Sequence, residues 1–326
     1  MVHRPTLADV ALEAGVSRAL VSIVMRDVPG ASDETRARVK AIAERLGYVP
    51  DQRARQLRQS SSRLLGVTFD LHQPFHGDLV EHLYTAAAEH GYDVAISAVA
   101  PSRDEPEALR ALQRERCEAV VLLGSALDDA ALSAGARAMP LLVVARRSGL
   151  DAVPSVRSDD RAGVGLAVDH LVSLGHRAIV HVDGGTAPGA DDRRAGFRAA
   201  VERHGLGEAR IVPGGSTETA GADAAEALLR EGLPTAIVAF NDHGASGVLD
   251  VLVRGRHDVP GEVSVVGYDD SRLAVARQTQ LTTVSQSAGD LARAAVDGVL
   301  ALLDGRRPDD VVLTPELVVR QTTGPT

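Results

Sequence analysis

Cysteine is almost absent from this sequence, which contains only Cys117 among its 326 residues. A single cysteine excludes an internal disulfide framework of the kind that small secreted proteins use. Its thiol is expected to serve as a small buried apolar side chain. Residues 1–20 also lack the apolar core of a signal peptide. Both absences favour a cytoplasmic protein.

Aromatic residues and long apolar segments are scarce as well. The sequence has no tryptophan, four phenylalanines and four tyrosines, so few rings are available to stack on a ligand. No apolar run is long enough to span a bilayer, and no membrane partner is expected. Hydrophobic residues still make up 44% of the chain. That content supports packed cores, and the length favours two or three domains.

Positive charge is unevenly distributed along the chain. The formal net charge is -9, which by itself argues against nucleic-acid binding. Residues 1–63, however, carry 11 basic and 7 acidic side chains, whereas the remaining 263 residues carry 24 and 37. Basic charge therefore concentrates at the start of the chain, where it can meet phosphates. An acidic remainder opposes non-specific binding to DNA.

Residues 6–22 show the pattern of two short helices joined by a tight turn. Gly15-Val16 interrupts the helical spacing, and Ser17 is a good N-cap for the second helix. A third helix is expected from Ser32 to a stop at Gly47. The apolar positions at helical spacing are Leu7, Val10, Ala11, Ala14, Leu20, Val21, Val24, Val39, Ile42, Ala43 and Leu46. We predict a helix-turn-helix headpiece over residues 1–50, rather than three ordinary helices of a larger core.

From residue 64 onward, apolar runs alternate with amphipathic stretches. This alternation predicts parallel sheets covered by helices on both faces. Strands are expected at 64–69, 94–99, 119–123, 141–145, 178–182, 236–240 and 263–267. Helices are expected at 77–90, 106–116, 161–174, 194–204, 219–230 and 244–254. The series runs twice, divided near residues 156–159, so we predict two doubly wound α/β subdomains.

Polar residues follow the predicted strands of both halves. Because ligands of such folds bind beyond the carboxyl ends of the strands, these residues predict a polar cleft between the subdomains. Each of them alone could instead cap the following helix. The polar segments are Asp70, Gly124-Ser125, Arg146-Arg147, Asp183-Gly184-Gly185, Asn241-Asp242 and Tyr268-Asp269-Asp270.

Several of these segments resemble the LacI/GalR-type transcriptional repressors. In the headpiece the matching segments are Thr-Leu-Ala-Asp-Val-Ala at 6–11, Ala-Gly-Val-Ser at 14–17, Glu-Thr-Arg-Ala-Arg-Val at 34–39 and Leu-Gly-Tyr-Val-Pro at 46–50. Further matches at 169–179, 193–197, 240–242, 258–270, 281–284 and 316–320 extend the resemblance over nearly the whole chain. It implies a core with the fold of periplasmic sugar-binding proteins over 64–326. Subdomain 1 would span about 64–157 and 286–314, and subdomain 2 about 158–285 and 315–326.

The resemblance also implies which residues contact DNA. The recognition helix would present Arg18 and Ala19, with Arg18 able to read guanine in the major groove. Ile23 stands where the family commonly has an arginine, so it would contact a thymine methyl or pack inward. Residues 51–63 would form a hinge helix and linker that wedges Leu57 into the minor groove; a disordered basic linker is the alternative. Asp51 replaces the usual asparagine there. The full expected set is Thr6, Leu7, Ser17, Arg18, Ala19, Ser22, Ile23, Ala54 and Leu57.

A second set of residues would bind a small effector in the cleft. By the resemblance these are Phe75, His76, Arg146, Arg193, Asn241 and Asp269. The arginines supply forked donors, and Asn241 and Asp269 can accept hydrogen bonds from hydroxyls. For each residue a structural salt bridge or helix cap is the alternative. Ser216 stands where sugar- or purine-binding relatives often have an aromatic ring. Ring stacking is therefore limited to residues such as Phe75 and Tyr268.

Catalytic chemistry has little support in the sequence. Gly163-Val164-Gly165 lacks the third glycine of a dinucleotide loop. The histidines at 170, 176 and 181 lack metal-site spacing, so neither a metal nor another cofactor is expected. We interpret the chain as a non-enzymatic, ligand-responsive regulator, a repressor acting at the nucleoid. Its expected partners are palindromic operator DNA, a sugar, polyol or anionic effector, and a second copy of itself. A sugar-binding protein without DNA function is the alternative.

Overall fold

The computed structural model describes residues 5–25, 27–48, 61–277 and 280–326. The chain forms two compact units, Met1–Ser62 and Arg63–Thr326. Among the described helices, none has both the length and the apolar character needed to cross a bilayer. The predicted α/β class with an amino-terminal helical unit is confirmed.

The first unit is built from α1 (Leu7–Ala14), α2 (Arg18–Met25) and α3 (Asp33–Leu46). Gly15 ends α1 and Gly47 ends α3, each with a left-handed backbone at φ 65° and 67°. Both glycines are suited to these positions because a Cβ would strain this conformation. The buried core consists of Val10, Ala11, Ala14, Val21, Val24, Val39, Ile42 and Ala43. Every member belongs to the apolar set predicted from helical spacing.

The first lobe of the second unit is a parallel sheet covered by helices. Its strand order is β11-β5-β4-β3-β1-β2. The strands are β1 (Leu64–Asp70), β2 (Asp93–Val99), β3 (Ala119–Leu123), β4 (Leu141–Val144), β5 (Ser155–Ser158) and β11 (Val311–Leu313). The helices are α4 (Pro74–Glu89), α5 (Glu105–Arg114), α6 (Asp129–Ala138) and α11 (Ala288–Leu303). Residues of α4 and α11 share one apolar core with the sheet, which includes Leu79, Leu291 and Val299.

The second lobe repeats this construction. Its sheet has the order β12-β10-β9-β8-β6-β7, and only the β10–β12 pair is antiparallel among the described strands. The strands are β6 (Ile179–Val182), β7 (Arg210–Val212), β8 (Ala236–Ala239), β9 (Ser264–Asp269), β10 (Thr282–Ser285) and β12 (Glu316–Val318). The helices are α7 (Asp160–Ser173), α8 (Ala190–Arg203), α9 (Glu218–Glu231) and α10 (Asp242–Arg254).

The chain passes between the two lobes at three places. It leaves the first lobe after β5, returns to it between β10 and α11, and leaves it again between β11 and β12. All seven predicted strands are present, with ends shifted by at most two residues. The prediction missed α6 and the shorter strands β5, β7, β10, β11 and β12. These strands have only three or four residues, and all but β11 include polar positions, so they lack the longer apolar run on which the prediction relied.

Candidate functional site

The second helix of the first unit has one buried and one open face. Val21 and Val24 are fully buried, whereas Arg18 and Ala19 are exposed. Ser22 and Ile23 lie at the boundary and are half-buried. The side chain of Ile23 faces the loop before α3, where a Cβ on Gly30 would be 3.4 Å from the Ile23 Cγ2. The open face of α2 therefore offers one guanidinium and small side chains.

Two hydroxyl residues of the expected DNA-contact set, Thr6 and Ser17, lie at helix amino termini. Thr6 forms a capping box with Asp9, in which the Asp9 carboxylate accepts a 2.7 Å hydrogen bond from the Thr6 backbone N–H. Ser17 accepts a 3.2 Å hydrogen bond from the backbone N–H of Leu20, the N-cap role that the sequence predicts. Leu7, expected to touch DNA, packs partly against the helical core. Ala54 and Leu57 lie outside the described residues.

Two ion pairs fix the loop between α2 and α3. The Asp27 carboxylate lies 3.0 Å from both the Lys40 ammonium and the Arg36 guanidinium. The hydrogen bond and charge of Lys40, helped by Arg36, lower the pKa of Asp27. Arg36 also donates a 3.0 Å hydrogen bond to the Val28 carbonyl. The loop that orients α2 is thereby tied to α3.

In the second lobe, Arg193 is the centre of a buried polar cluster. Its Nε donates a 2.9 Å hydrogen bond to Asp160, and its Nη1 donates a 2.6 Å hydrogen bond to the Phe240 carbonyl. The guanidinium carbon lies 3.7 Å from the centre of the Tyr268 ring and 4.5 Å from that of Phe240. Asp160 and Arg193 are both almost completely buried. Such a charge needs its partner, because an isolated ion is poorly solvated in a protein interior.

Asp269 completes this cluster at the carboxyl end of β9. It lies 3.8 Å from Arg193 Nη2 and accepts a 2.7 Å hydrogen bond from the Gln286 side chain. Gln286 in turn accepts a 2.7 Å hydrogen bond from the Ser158 hydroxyl. Burial raises the pKa of Asp269 well above its usual range, and the Arg193 charge opposes that shift. Ser158 and Gln286 each lie where the chain passes from one lobe to the other. The hydrogen bonds of the cluster therefore join two of these connecting segments.

Asn241 links the two lobes directly. Its side-chain oxygen accepts a 2.8 Å hydrogen bond from the Gly244 N–H, so it caps α10. Its amide nitrogen donates to the Ser216 carbonyl at 3.1 Å and to Gln73 Oε1 at 3.4 Å. Gln73 precedes α4 in the first lobe and also donates a 2.9 Å hydrogen bond to the Ser216 hydroxyl. Ser216, the residue that replaces an aromatic ring, thus takes part in a contact across the cleft.

The first-lobe residues of the expected site have mainly structural contacts. Phe75 is 5% exposed and belongs to the apolar core of its lobe. His76 accepts a 3.0 Å hydrogen bond from the Asp70 N–H, and burial lowers its pKa to about 4. Its ring lies against Gly124, where a Cβ would be 2.8 Å from His76 Nε2. Arg146 donates hydrogen bonds to the carbonyls of Leu127 and Arg147.

The structure thus brings Arg193 and Asp269 into one cluster and connects Asn241 to the first lobe through Gln73. Phe75 and Tyr268, the expected stacking rings, are covered by the first core and by the Arg193 guanidinium. The sequence analysis did not identify Asp160, Gln286 or Gln73 as site residues. Gln286 directly follows β10, so the rule that identified the other strand-end residues would have found it. Asp160, at a helix start, resembles an ordinary cap.

Comparison with known proteins identifies the family. The sequence profile described as "Bacterial regulatory proteins, lacI family" matches residues 6–51, and one described as "Periplasmic binding protein-like domain" matches residues 168–323. The HTH-type transcriptional regulator GalR of Escherichia coli (strain K12) is 33% identical, covering 97% of this chain and 95% of that protein.

Solved structures agree with this assignment. A LacI transcriptional regulator from a Rhodococcus species is 60% identical, with a TM-score of 0.79 over 80% of this chain and 98% of that one. The lac repressor dimer bound to operator and the anti-inducer ONPF is 30% identical, with a TM-score of 0.80 over 99% of this chain and 100% of that one. The chain therefore belongs to the LacI family of bacterial transcriptional regulators and is a DNA-binding regulator rather than an enzyme.

Proposed function

We propose that this regulator is a repressor that binds a palindromic operator as a homodimer. The observation that carries the proposal is the open face of α2, with exposed Arg18 and Ala19 on a helix that Ser17 caps. A capped helix with one guanidinium on its outer face suits the major groove, where arginine reads guanine. Thr6, Leu7, Ser22 and Ile23 would complete the contacts to phosphates, sugars and base edges.

We propose residues 51–63 as the hinge segment that connects the headpiece, residues 1–50, to the core. Ala54 and Leu57 would enter the minor groove when two subunits meet on DNA. The core would consist of subdomain 1 (about 64–157 and 286–314) and subdomain 2 (about 158–285 and 315–326). We place the protein in the cytoplasm, bound to operator DNA in the nucleoid.

The effector is inferred to be a small polar metabolite such as a sugar or polyol. Asp269 and Asn241 offer acceptors to hydroxyl groups, and Arg193 offers its remaining donors. His76, Phe75 and Arg146 would border the site from the first lobe. Because Gln73 bonds Ser216 and Asn241 across the cleft, an effector that enters there changes contacts between the lobes. Its binding would thereby shift the equilibrium that sets operator affinity.

The alternative, a sugar-binding protein without DNA function, explains only the second unit. It gives no reason for a capped three-helix unit with its own core and a basic balance of charge. The structure of the lac repressor contains both an operator and an anti-inducer. This similarity favours a protein that binds both DNA and a small ligand, with each affecting the binding of the other.

Incubation of the full-length protein with fragmented genomic DNA of its source organism tests the proposed function. We expect enrichment of a two-fold symmetric sequence upstream of transport or catabolic genes. Leu57→Ala should retain the same sequence more weakly, because it removes the expected wedge. The selection should be repeated with cell extract, which supplies any required corepressor. Absence of a common sequence under both conditions would contradict the proposal.

A further inference from the structure

A polar cavity adjoins the Arg193 cluster. Its volume is about 370 Å³, and it is lined by Arg147, Arg157, Asp159, Arg161 and Asp192. Arg147 follows β4 and Arg157 lies on β5, so these two arginines belong to the first lobe. Asp159, Arg161 and Asp192 belong to the start of α7 and to α8. The cavity therefore lies between the lobes, with three arginines in its wall.

Both carboxylates of this cavity already have partners. Asp192 accepts a 2.9 Å hydrogen bond from the Arg161 guanidinium, in an ion pair within the second lobe. Asp159 accepts a 3.1 Å hydrogen bond from the backbone N–H of Ala162 as the N-cap of α7. In the part of the chain that the structure describes, neither carboxylate is hydrogen-bonded to an arginine of the first lobe. Both carboxylates of the cavity wall therefore accept hydrogen bonds from groups of the second lobe.

The two first-lobe arginines of this cavity have few hydrogen-bond partners among the described residues. Arg157 donates one long hydrogen bond, 3.4 Å, to the Ser158 carbonyl, and its buried Nε has no hydrogen-bond partner among the described residues. The guanidinium of Arg147 makes no ion pair or hydrogen bond within the described part of the chain. A guanidinium carries five N–H donors in a planar fork. Two such forks are therefore available to a ligand.

We propose that this cavity binds the anionic group, a phosphate or a carboxylate, of a sugar- or polyol-like effector. The inference rests on the proposed function, because it specifies the class of effector for the same cleft. Two guanidinium forks match the oxygen geometry of phosphate and carboxylate. The start of α7 adds the positive end of a helix dipole. Arg193, which is proposed to bind hydroxyl groups, directly follows the lining residue Asp192 on α8, so the two proposed subsites share this helix.

An anion in this cavity has a consequence for regulation. Arg147 and Arg157 would hold it from the first lobe, while Arg161 and the start of α7 would contact it from the second. The anion would then bridge the two lobes and stabilise the arrangement in which both sets of donors reach it. A neutral sugar would lack this bridge.

Thermal unfolding of the full-length protein with inorganic phosphate tests the anion site. Sodium chloride at equal ionic strength is the reference. Three further probes are glucose 6-phosphate, gluconate and glucose. The variant Arg147→Gln/Arg157→Gln removes both first-lobe guanidinium groups of the cavity, and Arg137→Gln removes an exposed first-lobe arginine outside it, which donates to Ser133. Each protein is also assayed for retention of operator DNA.

We expect phosphate to raise the Tm of the wild type and of Arg137→Gln above the chloride reference. In the double variant the affinity for phosphate should fall at least about tenfold, because hydrogen bonds to charged groups are lost. A larger effect of glucose 6-phosphate than of gluconate identifies a phosphate ligand, and the reverse identifies a carboxylate.

Equal effects of phosphate and chloride on the wild type would overturn the inference. An undiminished phosphate effect in the double variant, or an equal effect of glucose and glucose 6-phosphate, would do the same. Retention of operator DNA by all three proteins shows that the variants are folded and that the proposed function stands. Loss of DNA binding in the wild type itself would contradict the proposed function instead.

Discussion

At the residue scale, the buried pair of Asp160 and Arg193 is the fixed centre of the proposed effector site. Three contacts fix the Arg193 guanidinium: Asp160, the Phe240 carbonyl and the Tyr268 ring. A side chain held this firmly presents its remaining donors and the neighbouring Asp269 in a constant geometry. Such preorganisation lowers the entropy lost when a ligand binds.

Asp160→Asn should destabilise the protein strongly. It leaves the buried Arg193 charge without its nearest partner, a change that costs about 3–5 kcal/mol in other proteins. Asp192→Asn is the matched control, because its Arg161 partner is exposed and such surface pairs contribute about 0–1 kcal/mol. Urea unfolding curves measure both changes. Equal shifts of the two midpoints would contradict the structural role assigned to Asp160.

The sequence could identify Arg193, Asn241 and Asp269 as polar residues in segments that match the family. It could not show that Asp160, which looks like an ordinary residue at a helix start, pairs with Arg193. That contact depends on how α7 and α8 pack against each other, which no local pattern records. The same reason explains Gln73, whose partners Ser216 and Asn241 are more than 140 residues away in the chain.

At the scale of elements, the first turn of α7 must approach β9 closely. A Cβ on Gly163 would lie 2.5 Å from the Tyr268 hydroxyl and 3.0 Å from its ring. The absence of a side chain at this position therefore lets the Tyr268 ring, which underlies Arg193, lie directly against α7. Gly165 is two residues further along the same helix, and its nearest neighbour would be the far end of Arg203 at 3.8 Å.

These two glycines should respond oppositely to alanine. Gly163→Ala should destabilise the protein by about 1–3 kcal/mol, because the added methyl displaces a buried ring. Gly165→Ala should stabilise it by up to about 1 kcal/mol, because alanine favours the helix. Calorimetric or urea unfolding distinguishes the two directions. A stabilising Gly163→Ala would show that α7 has more freedom at this point than the structure indicates.

Elements with a clear apolar pattern or a local cap could be predicted from the sequence. Strands defined mainly by pairing with a segment far away in the chain could not. The strands β3 and β8 are continuous, fully buried apolar runs, and the caps at Ser17 and Ser32 are local signals. Strand β12 has only three residues and is defined by antiparallel pairing with β10. Its sequence, Glu-Leu-Val, is equally compatible with a loop.

At the scale of the whole molecule, charge is divided unevenly along the chain, in line with the proposed division of function. The segment 1–63 is basic and the remainder strongly acidic. This division favours contact of DNA with the headpiece and opposes its contact with the core. In the proposed function, the operator binds the first unit and the small ligand binds the second. Any response of one to the other must pass through a shift in the equilibrium between arrangements of the core.

Operator selection with three proteins tests the central claim most directly. The wild type, Arg18→Ala and Arg38→Ala are each used to retain genomic fragments, which are then sequenced. Arg18 lies on the open face of α2, whereas Arg38 is an exposed arginine of α3. An arginine–guanine contact contributes about 1–3 kcal/mol of base discrimination, so its loss is visible in the selected sequences.

The account predicts a two-fold symmetric site for the wild type. Arg18→Ala should relax the preference at one base pair in each half-site, at symmetric positions. Arg38→Ala should retain the same sequence with, at most, a uniformly lower affinity. Sites without two-fold symmetry, or an unchanged base preference in Arg18→Ala, would contradict a dimeric repressor that reads DNA through α2.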